Sequence, residues 1–311
     1  MKITMRSGIV KIWGEPDVYE SNQPNSIQRF NELWQQRKHQ YQYDENSLHQ
    51  VKDIVDKLND TGIVVLKDVI DKKLLQKVRD DAEKIWDEGV HTKGAGLGGK
   101  SYSQLNLPDD AFELAVKDPI YNCPSIVPLV FNDISMMVAT AFFECFPAIG
   151  TLNLRKSFVN SNVKSRGTQE FHVDRNCPRI MKCFLYLNDV DEDGGPFVYV
   201  EGSRKNMPKG ENGRAFFYSG PHRMSDEWVE QNFEKNSIRK MTANMGDMII
   251  SNQTGAYHKG LKPTKNERAM LTTNWVVHPE GFKPGTFKIR EEDYQNLPDY
   301  KKPLTDFLVR T

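Results

Sequence analysis

From Ser47 onward the apolar residues take up a helical rhythm. Leu48, Val51, Ile54, Val55 and Leu58 recur at helical spacing, and Gly62 supplies a stop. Ile63-Val64-Val65-Leu66 then reads as a short strand of the buried type, and Leu74, Leu75, Val78, Ala82, Ile85 and Trp86 form the stripe of a second amphipathic helix. Residues 92–125 are rich in Gly, Ser, Pro and Asp and read as loop, whereas Ile126–Phe146 is apolar and predicts helix. Upstream, the polar stretch 1–45 offers a strand at Val10–Trp13 and a helix at Ile27–Gln36. After Gly150 the period changes. Thr151–Val159, Ile180–Leu187, Phe197–Val200, Met248–Ser251 and Ala269–Val277 predict short strands. Asp193-Gly194-Gly195-Pro196 and Met245-Gly246-Asp247 supply turns between them.

A helical preface followed by many short strands predicts a mainly β protein with flanking helices, built as a jelly roll or a similar closed β-structure. The pattern is that of one domain over 1–311: a mostly helical part at 1–150, a β core at 151–280 and a C-terminal tail at 281–311. Residues 205–242 stand out as a long polar insertion with one expected helix, Asp226–Phe233, in a position suited to a lid or binding loop.

Composition removes some possibilities. Lys+Arg and Asp+Glu both number 42, so bulk charge favours neither nucleic acid nor an acidic membrane surface. The four cysteines, Cys123, Cys145, Cys177 and Cys183, form no CxxC pair and do not suggest a disulfide scaffold; a reducing cytosol is the expected setting. The opening residues MKITMRSGIVKIWGEPDVYE contain no long apolar run, so neither a signal peptide nor a membrane span is expected. Nothing in the pattern specifies an oligomeric state.

Candidate chemistry begins at His172-Val173-Asp174. On an extended strand one intervening residue puts both polar side chains on the same face, and Phe171 and Val173 on the other. His258, just past a strand and close to Gly260, would complete two imidazoles and one carboxylate, the set that holds Fe(II) on one side and leaves three positions open. His222 and His278, each beside a proline, are not expected to be ligands. Arg268 begins the run Arg268-Ala269-Met270-Leu271-Thr272-Thr273-Asn274-Trp275, whose alternation places Arg268, Met270, Thr272 and Asn274 on one face. A planar cation with a hydroxyl and an amide beside it forms a plausible carboxylate pocket, pointing to a dicarboxylic co-substrate. The bland alternative is a set of unrelated surface residues. A competing motif is Gly94–Ser101, which matches the phosphate-binding pattern G-x-x-x-x-G-K-S/T, but a polar stretch precedes it and Pro108 follows quickly, leaving little room for the helix such a loop opens. An active-site loop is the favoured reading there.

At these residues the chain resembles the phytanoyl-CoA dioxygenase family. The segment Phe171–Arg204, FHVDRNCPRIMKCFLYLNDVDEDGGPFVYVEGSR, carries the likeness, with Thr61–Leu66 before a helix and Gly246-Asp247 leading toward Tyr257-His258-Lys259-Gly260. The resemblance implies a double-stranded β-helix, of jelly-roll or cupin-like form, and an Fe(II)- and 2-oxoglutarate-dependent dioxygenase that consumes dioxygen and releases succinate and carbon dioxide. It implies that His172, Asp174 and His258 hold the metal and that Arg268 meets the distal carboxylate of 2-oxoglutarate. Phe184 matches an aromatic lining the co-substrate pocket, though an ordinary core phenylalanine reads the same way. Thr272 shares the face of Arg268, and Asn153 and Arg155 alternate on an earlier strand where they could bond co-substrate or substrate. Gly260 stands where some relatives carry a hydroxyl. An intact carboxylate at Asp174 favours hydroxylation over halogenation. A cupin-like metal binder without co-substrate is the alternative that Arg268 argues against. Arg214, Phe216, Phe217, Tyr218, His222, Arg223 and Trp228 in the insertion suit a polar or anionic small molecule, such as a sugar, an amino-acid derivative or a natural-product intermediate; a solvated loop with packing aromatics is the other reading.

Overall fold

A computed structural model describes residues 32, 34–37, 49–94, 100–162, 165, 167–174, 179–206, 223–277 and 287–311. The expected strand Val10–Trp13 lies outside them, as do Leu48, Cys177, His222, His278 and residues 207–222 of the insertion; of the expected helix Ile27–Gln36, Glu32 and Trp34–Gln36 are described and helical.

The chain runs through helix α1 (Lys52–Asp60), strand β1 (Ile63–Leu66) and helix α2 (Lys72–Glu88), then β2 (Thr92–Gly94) and β3 (Glu113–Val116). Short helical turns lead to α3 (Asp133–Phe143) and β4 (Ala148–Ser157). Next come β5 (Phe171–His172), β6 (Ile180–Tyr186), β7 (Phe197–Val200), β8 (Arg223–Met224), α4 (Asp226–Asn232) and β9 (Ile238–Met241). The core closes with β10 (Met248–Asn252), β11 (His258–Gly260) and β12 (Arg268–Val276). After it, β13 (Lys288–Ile289) and β14 (Val309–Arg310) pair in parallel around α5 (Glu291–Asn296).

The strands form two antiparallel sheets, a seven-stranded one in the order β1-β10-β6-β12-β4-β3-β2 and a five-stranded one in the order β8-β5-β11-β7-β9. Between them lie Ile63, Phe184, Tyr186, Ile249 and Met270 from the large sheet and Phe197, Tyr199 and Met241 from the small one. This is the jelly-roll architecture, mainly β with flanking helices, that the period change at Gly150 anticipates.

Period-two alternation decides where each side chain goes. Met181, Cys183 and Leu185 of β6 and Ala269, Leu271 and Trp275 of β12 point away from the small sheet, into a core shared with the helices. Helix α2 meets them with Leu75, Val78, Ala82 and Trp86, all fully buried. The Leu75 and Val78 side chains each contribute roughly 1.5–3 kcal/mol by leaving water. Asp71 caps α2 by accepting from the Lys73 amide, and Gly89 ends it at φ 74°. A side chain at Gly89 would also strike the Ser103 backbone, 2.4 Å from the Cβ position. Helix α4 covers the outer face of the small sheet, where Val229 joins Phe171, Val173, Val198, Val200 and Tyr257.

Three regions depart from the sequence-based expectation. The 92–125 stretch is not all loop: β2 and β3 add two strands beyond β4. They are three and four residues long, too short for alternation to register over their Gly- and Pro-rich surroundings. The 205–242 segment contains β8 and β9 as well as its expected helix, so its last part belongs to the small sheet. In β9 the Arg239 and Lys240 side chains are exposed, which hides a strand from a hydrophobic search. The apolar run Ile126–Phe146 is broken rather than continuous, because Asn132 caps α3 by accepting from the Ser135 amide. The tail is packed, with Ile289, Leu297, Leu304 and Leu308 entering the helix-side core.

Candidate metal centre

Strands β5 and β11 are neighbours, and His258 lies directly opposite His172 in the antiparallel register. Opposed residues share a face, so both imidazoles turn inward with ring centroids 4.3 Å apart. Val173 is fully buried on the other side, which returns Asp174 to the face of His172. Asp174 also bridges to Thr254, four residues before His258. Ligand atoms of the three residues all lie within 4.8 Å of one another. His172 Nε2 is 3.8 Å from Asp174 Oδ1, and His258 Nε2 is 3.7 Å from Asp174 Oδ2.

Both rings are oriented the same way. Nδ1 of His172 donates to the Glu170 carbonyl and Nδ1 of His258 to the Ala256 carbonyl, each at 2.9 Å and each two residues back. That commitment leaves Nε2 as the lone-pair nitrogen facing the carboxylate. Nε2 of His258 is buried without a hydrogen-bond partner. Burial first, and then the neighbouring His172, pulls the His258 pKa down to about 3; burial likewise lowers that of His172, against the pull of Asp174. Burial pushes Asp174 upward, but Lys182 and the two imidazoles outweigh it and hold the carboxyl below the ordinary range. At neutral pH the cluster is two neutral imidazoles and one carboxylate, the protonation state a divalent metal requires. An orphaned, inward-facing nitrogen and a donor set of this kind fit such an ion.

Facing the cluster is the inner surface of the large sheet. Arg268, Met270, Thr272 and Asn274 do share one face of β12, opposite Ser157, Arg155, Asn153 and Thr151 of β4. On the other flank of β12, Thr272 opposes Phe184 and Asn274 opposes Lys182 of β6. Arg268 is 5% exposed. Its guanidinium donates to the Gly195 carbonyl, to Ser157 Oγ at 3.2 Å and toward the Leu261 carbonyl at 3.5 Å, while its Nε has no partner. Among the described residues, then, this buried cation is held by carbonyls and a hydroxyl rather than by a carboxylate, an arrangement that leaves its charge to be matched by an anion. Gly195 sits at φ 70° with the Leu261 carbonyl 2.6 Å from its Cβ position, so only glycine brings that carbonyl to Arg268. Gly260 lies alongside, its Cβ position 3.5 Å from the guanidinium.

The other expected residues divide. Thr272 is 2% exposed and its Oγ1 is buried without a partner, as is Oδ1 of Asn274. Phe184 stacks on Phe197 at 4.5 Å and belongs to the core between the sheets while standing opposite Thr272. Asn153 reaches the same face, half-buried. Arg155 reaches it too, but ion-pairs with Glu113 at 3.3 Å, and Ser157 donates to the same carboxylate at 3.3 Å. Trp228 packs edge-on against Phe233 and beside Tyr257 on the outer face of the small sheet. Arg223 donates to the Gly167 carbonyl at 2.5 Å. Arg214, Phe216, Phe217, Tyr218 and His222 lie outside the described residues.

Sequence reasoning missed Lys182. Its Nζ is 2.7 Å from Asp174 Oδ2. The signal was a lone cation inside the apolar strand Ile180–Tyr186. The phosphate-loop motif at Gly94–Ser101 lacks its required setting. Gly94 ends the edge strand β2, and the next helical residues among those described are the single turn Gln104–Asn106. Ser101 Oγ is engaged with the Val90 carbonyl at 3.1 Å and Lys117 Nζ at 2.6 Å. Residues 95–99 lie outside the described set.

No protein-family model matches the sequence. No curated protein matches it. Solved structures do share its fold. The non-heme alpha ketoglutarate dependent epimerase SnoN from nogalamycin biosynthesis aligns with a TM-score of 0.52 at 14% identity, over 75% of this chain and 84% of that one. The carbocyclase SnoK from the same biosynthesis gives 0.51 at 12%, over 72% and 83%. SnoN crystallised with Fe3+, alpha ketoglutarate and nogalamycin RO gives 0.50 at 14%, over 75% and 84%.

Proposed function

We propose that this protein is an Fe(II)- and 2-oxoglutarate-dependent dioxygenase acting on an aliphatic C–H bond of a small polar molecule. The observation that carries the reading is the meeting of His172, Asp174 and His258 within 4.8 Å, with neutral imidazoles and an ionised carboxylate. His172 and His258 would hold the metal through Nε2, and Asp174 through one carboxylate oxygen. When bound, the metal and 2-oxoglutarate supply the oxidising power, turning substrate, dioxygen and 2-oxoglutarate into hydroxylated product, succinate and carbon dioxide.

The chain's own residues bind, orient and keep out water. Arg268 meets the far carboxylate of 2-oxoglutarate with two parallel donors, and the Gly195 and Leu261 carbonyls and Ser157 keep the guanidinium aimed. Thr272 Oγ1, unpartnered and on the same face, donates to the co-substrate. Phe184, stacked on Phe197, walls the pocket with an apolar surface that excludes water. Asn153 and Arg155 extend this wall on β4 toward co-substrate or substrate, Arg155 steadied by Glu113.

Membership of the phytanoyl-CoA dioxygenase family is part of this reading and rests on the Phe171–Arg204 segment. A polar natural-product or sugar-like substrate accords with the nogalamycin RO bound to SnoN, a protein of the same fold. That fold also hosts an epimerase and a carbocyclase, so product identity decides between hydroxylation and ring chemistry. A cytosolic setting belongs to the proposal as well. The test is to incubate the Fe(II)-loaded protein with 2-oxoglutarate and dioxygen across a panel of polar small molecules. Succinate formation that a panel member stimulates supports the reading. Tight metal binding with no 2-oxoglutarate binding would instead identify a cupin-like metal protein.

A further inference from the structure

Lys182 sits on β6 in register with Asn274 on one side and Ser251 on the other. It is the cation of a strand otherwise devoted to cores, and its side chain is only 18% exposed. The ammonium crosses from the large sheet to Asp174, which the small-sheet side supplies. The imidazoles are fixed by backbone carbonyls; Asp174, among the described residues, receives its hydrogen bond from Lys182 alone. Oδ2, which takes the ammonium, also stands 3.7 Å from His258 Nε2, while Oδ1 stands 3.8 Å from His172 Nε2.

This arrangement carries two opposed electrostatic effects. The ammonium stands one carboxylate away from the place a divalent ion would occupy, and like charges repel in so enclosed a site. The same charge attracts a carboxylate arriving at that ion. Ammonium groups also have three donors, so one can hold Asp174 while another is offered elsewhere. Asn274 Oδ1 beside it, buried and unpartnered, marks this end of the pocket as built for a polar guest.

We propose that Lys182 tunes loading of the centre: it weakens binding of the bare metal ion and strengthens binding of the 2-oxo acid to the metal-loaded protein, so that the two enter together. The inference rests on the metal and 2-oxoglutarate reading given above. A purely structural clamp on Asp174 would do something different, because its loss would weaken the metal and leave the acid to follow.

Two anaerobic titrations separate these cases. Co(II) alone is titrated into the metal-free protein by its visible absorption, and 2-oxoglutarate is then titrated into the Fe(II)-loaded protein by its charge-transfer band. In Lys182→Met, Co(II) is expected to bind at least as tightly as in wild type and 2-oxoglutarate about tenfold more weakly or worse, the scale of one unit charge removed at close range. Lys182→Arg keeps the charge and should hold both constants within about threefold of wild type. Lys182→Gln serves as a second neutral variant if the Met protein does not fold. Weaker Co(II) binding in the neutral variants, or unchanged 2-oxoglutarate binding, overturns the inference while leaving the metal reading intact. Wild-type protein that binds no Co(II) overturns the metal reading itself, and this inference with it.

Discussion

Strand β12 presents two faces with opposite logic. Outward, Ala269 and Leu271 are buried against helices and satisfied by packing alone. Inward, Arg268, Thr272 and Asn274 are as deeply buried, yet the first is a cation held by carbonyls and a hydroxyl and the other two carry unpartnered oxygens. Desolvating polar groups without partners costs about 1–3 kcal/mol each. A fold retains such groups where another molecule completes them. The outward face therefore accounts for stability and the inward face for binding, within one nine-residue strand.

Substitutions on the two faces should separate accordingly. The largest effect is expected at Arg268. Arg268→Ala should leave Co(II) binding largely intact but weaken 2-oxoglutarate by roughly thirty-fold to several thousand-fold, since removing one partner of an enclosed charge-assisted pair costs about 2–5 kcal/mol. Arg268→Lys should recover only part of it, a point charge being a poor substitute for a planar fork. Equal affinity in wild type and Arg268→Ala would erase the distinction between the faces. On the outward face, Leu271→Ala should lower unfolding free energy by about 2–5 kcal/mol in urea titrations while 2-oxoglutarate affinity of the folded protein stays put.

Thr272→Val is a finer probe. It keeps the shape and deletes an unpartnered hydroxyl, so stability should hold or rise slightly. Weakening of 2-oxoglutarate by about threefold to tenfold should accompany it, the worth of one neutral hydrogen bond. A drop in melting temperature without a change in binding would place Thr272 with the structural face.

The smallest expected effect is a flat pH response. An imidazole with the ordinary value of about 6.5 starts to lose metal to protons as pH falls below it. Burial lowers both ligand histidines, His258 to about 3, so protons compete only when pH falls toward those lower values. Co(II) affinity measured at about pH 7.5 and about pH 5.5 should therefore differ by less than the roughly tenfold loss of one ordinary imidazole, against the roughly hundredfold loss of two. A steep loss in that interval would mean that the histidines are solvated rather than enclosed.

Much of the site was legible along the chain because its rules are local. His172 and Asp174 share a face since one residue separates them on an extended backbone, and Arg268, Thr272 and Asn274 follow the same period. Arg155 is less simply read: its position on the inner face was legible, but its ion pair with Glu113 depends on β3, a four-residue strand hidden in a Gly- and Pro-rich stretch. Strand β9 escaped notice for a related reason, its charged residues pointing to solvent at the edge of the small sheet.

Period and residue chemistry, properties of neighbouring positions, by themselves determined the helical preface, the strand-rich core, the two faces of β12 and a donor set suited to a metal. Only the tertiary structure decided that β11 pairs with β5 so that His258 opposes His172, that backbone carbonyls turn both Nε2 atoms inward, and that Lys182 reaches Asp174 from the facing sheet. Those facts depend on strand register and on the closure of one sheet over another. Register is settled by which residues can be buried together across the whole core, and no stretch of chain carries that information alone.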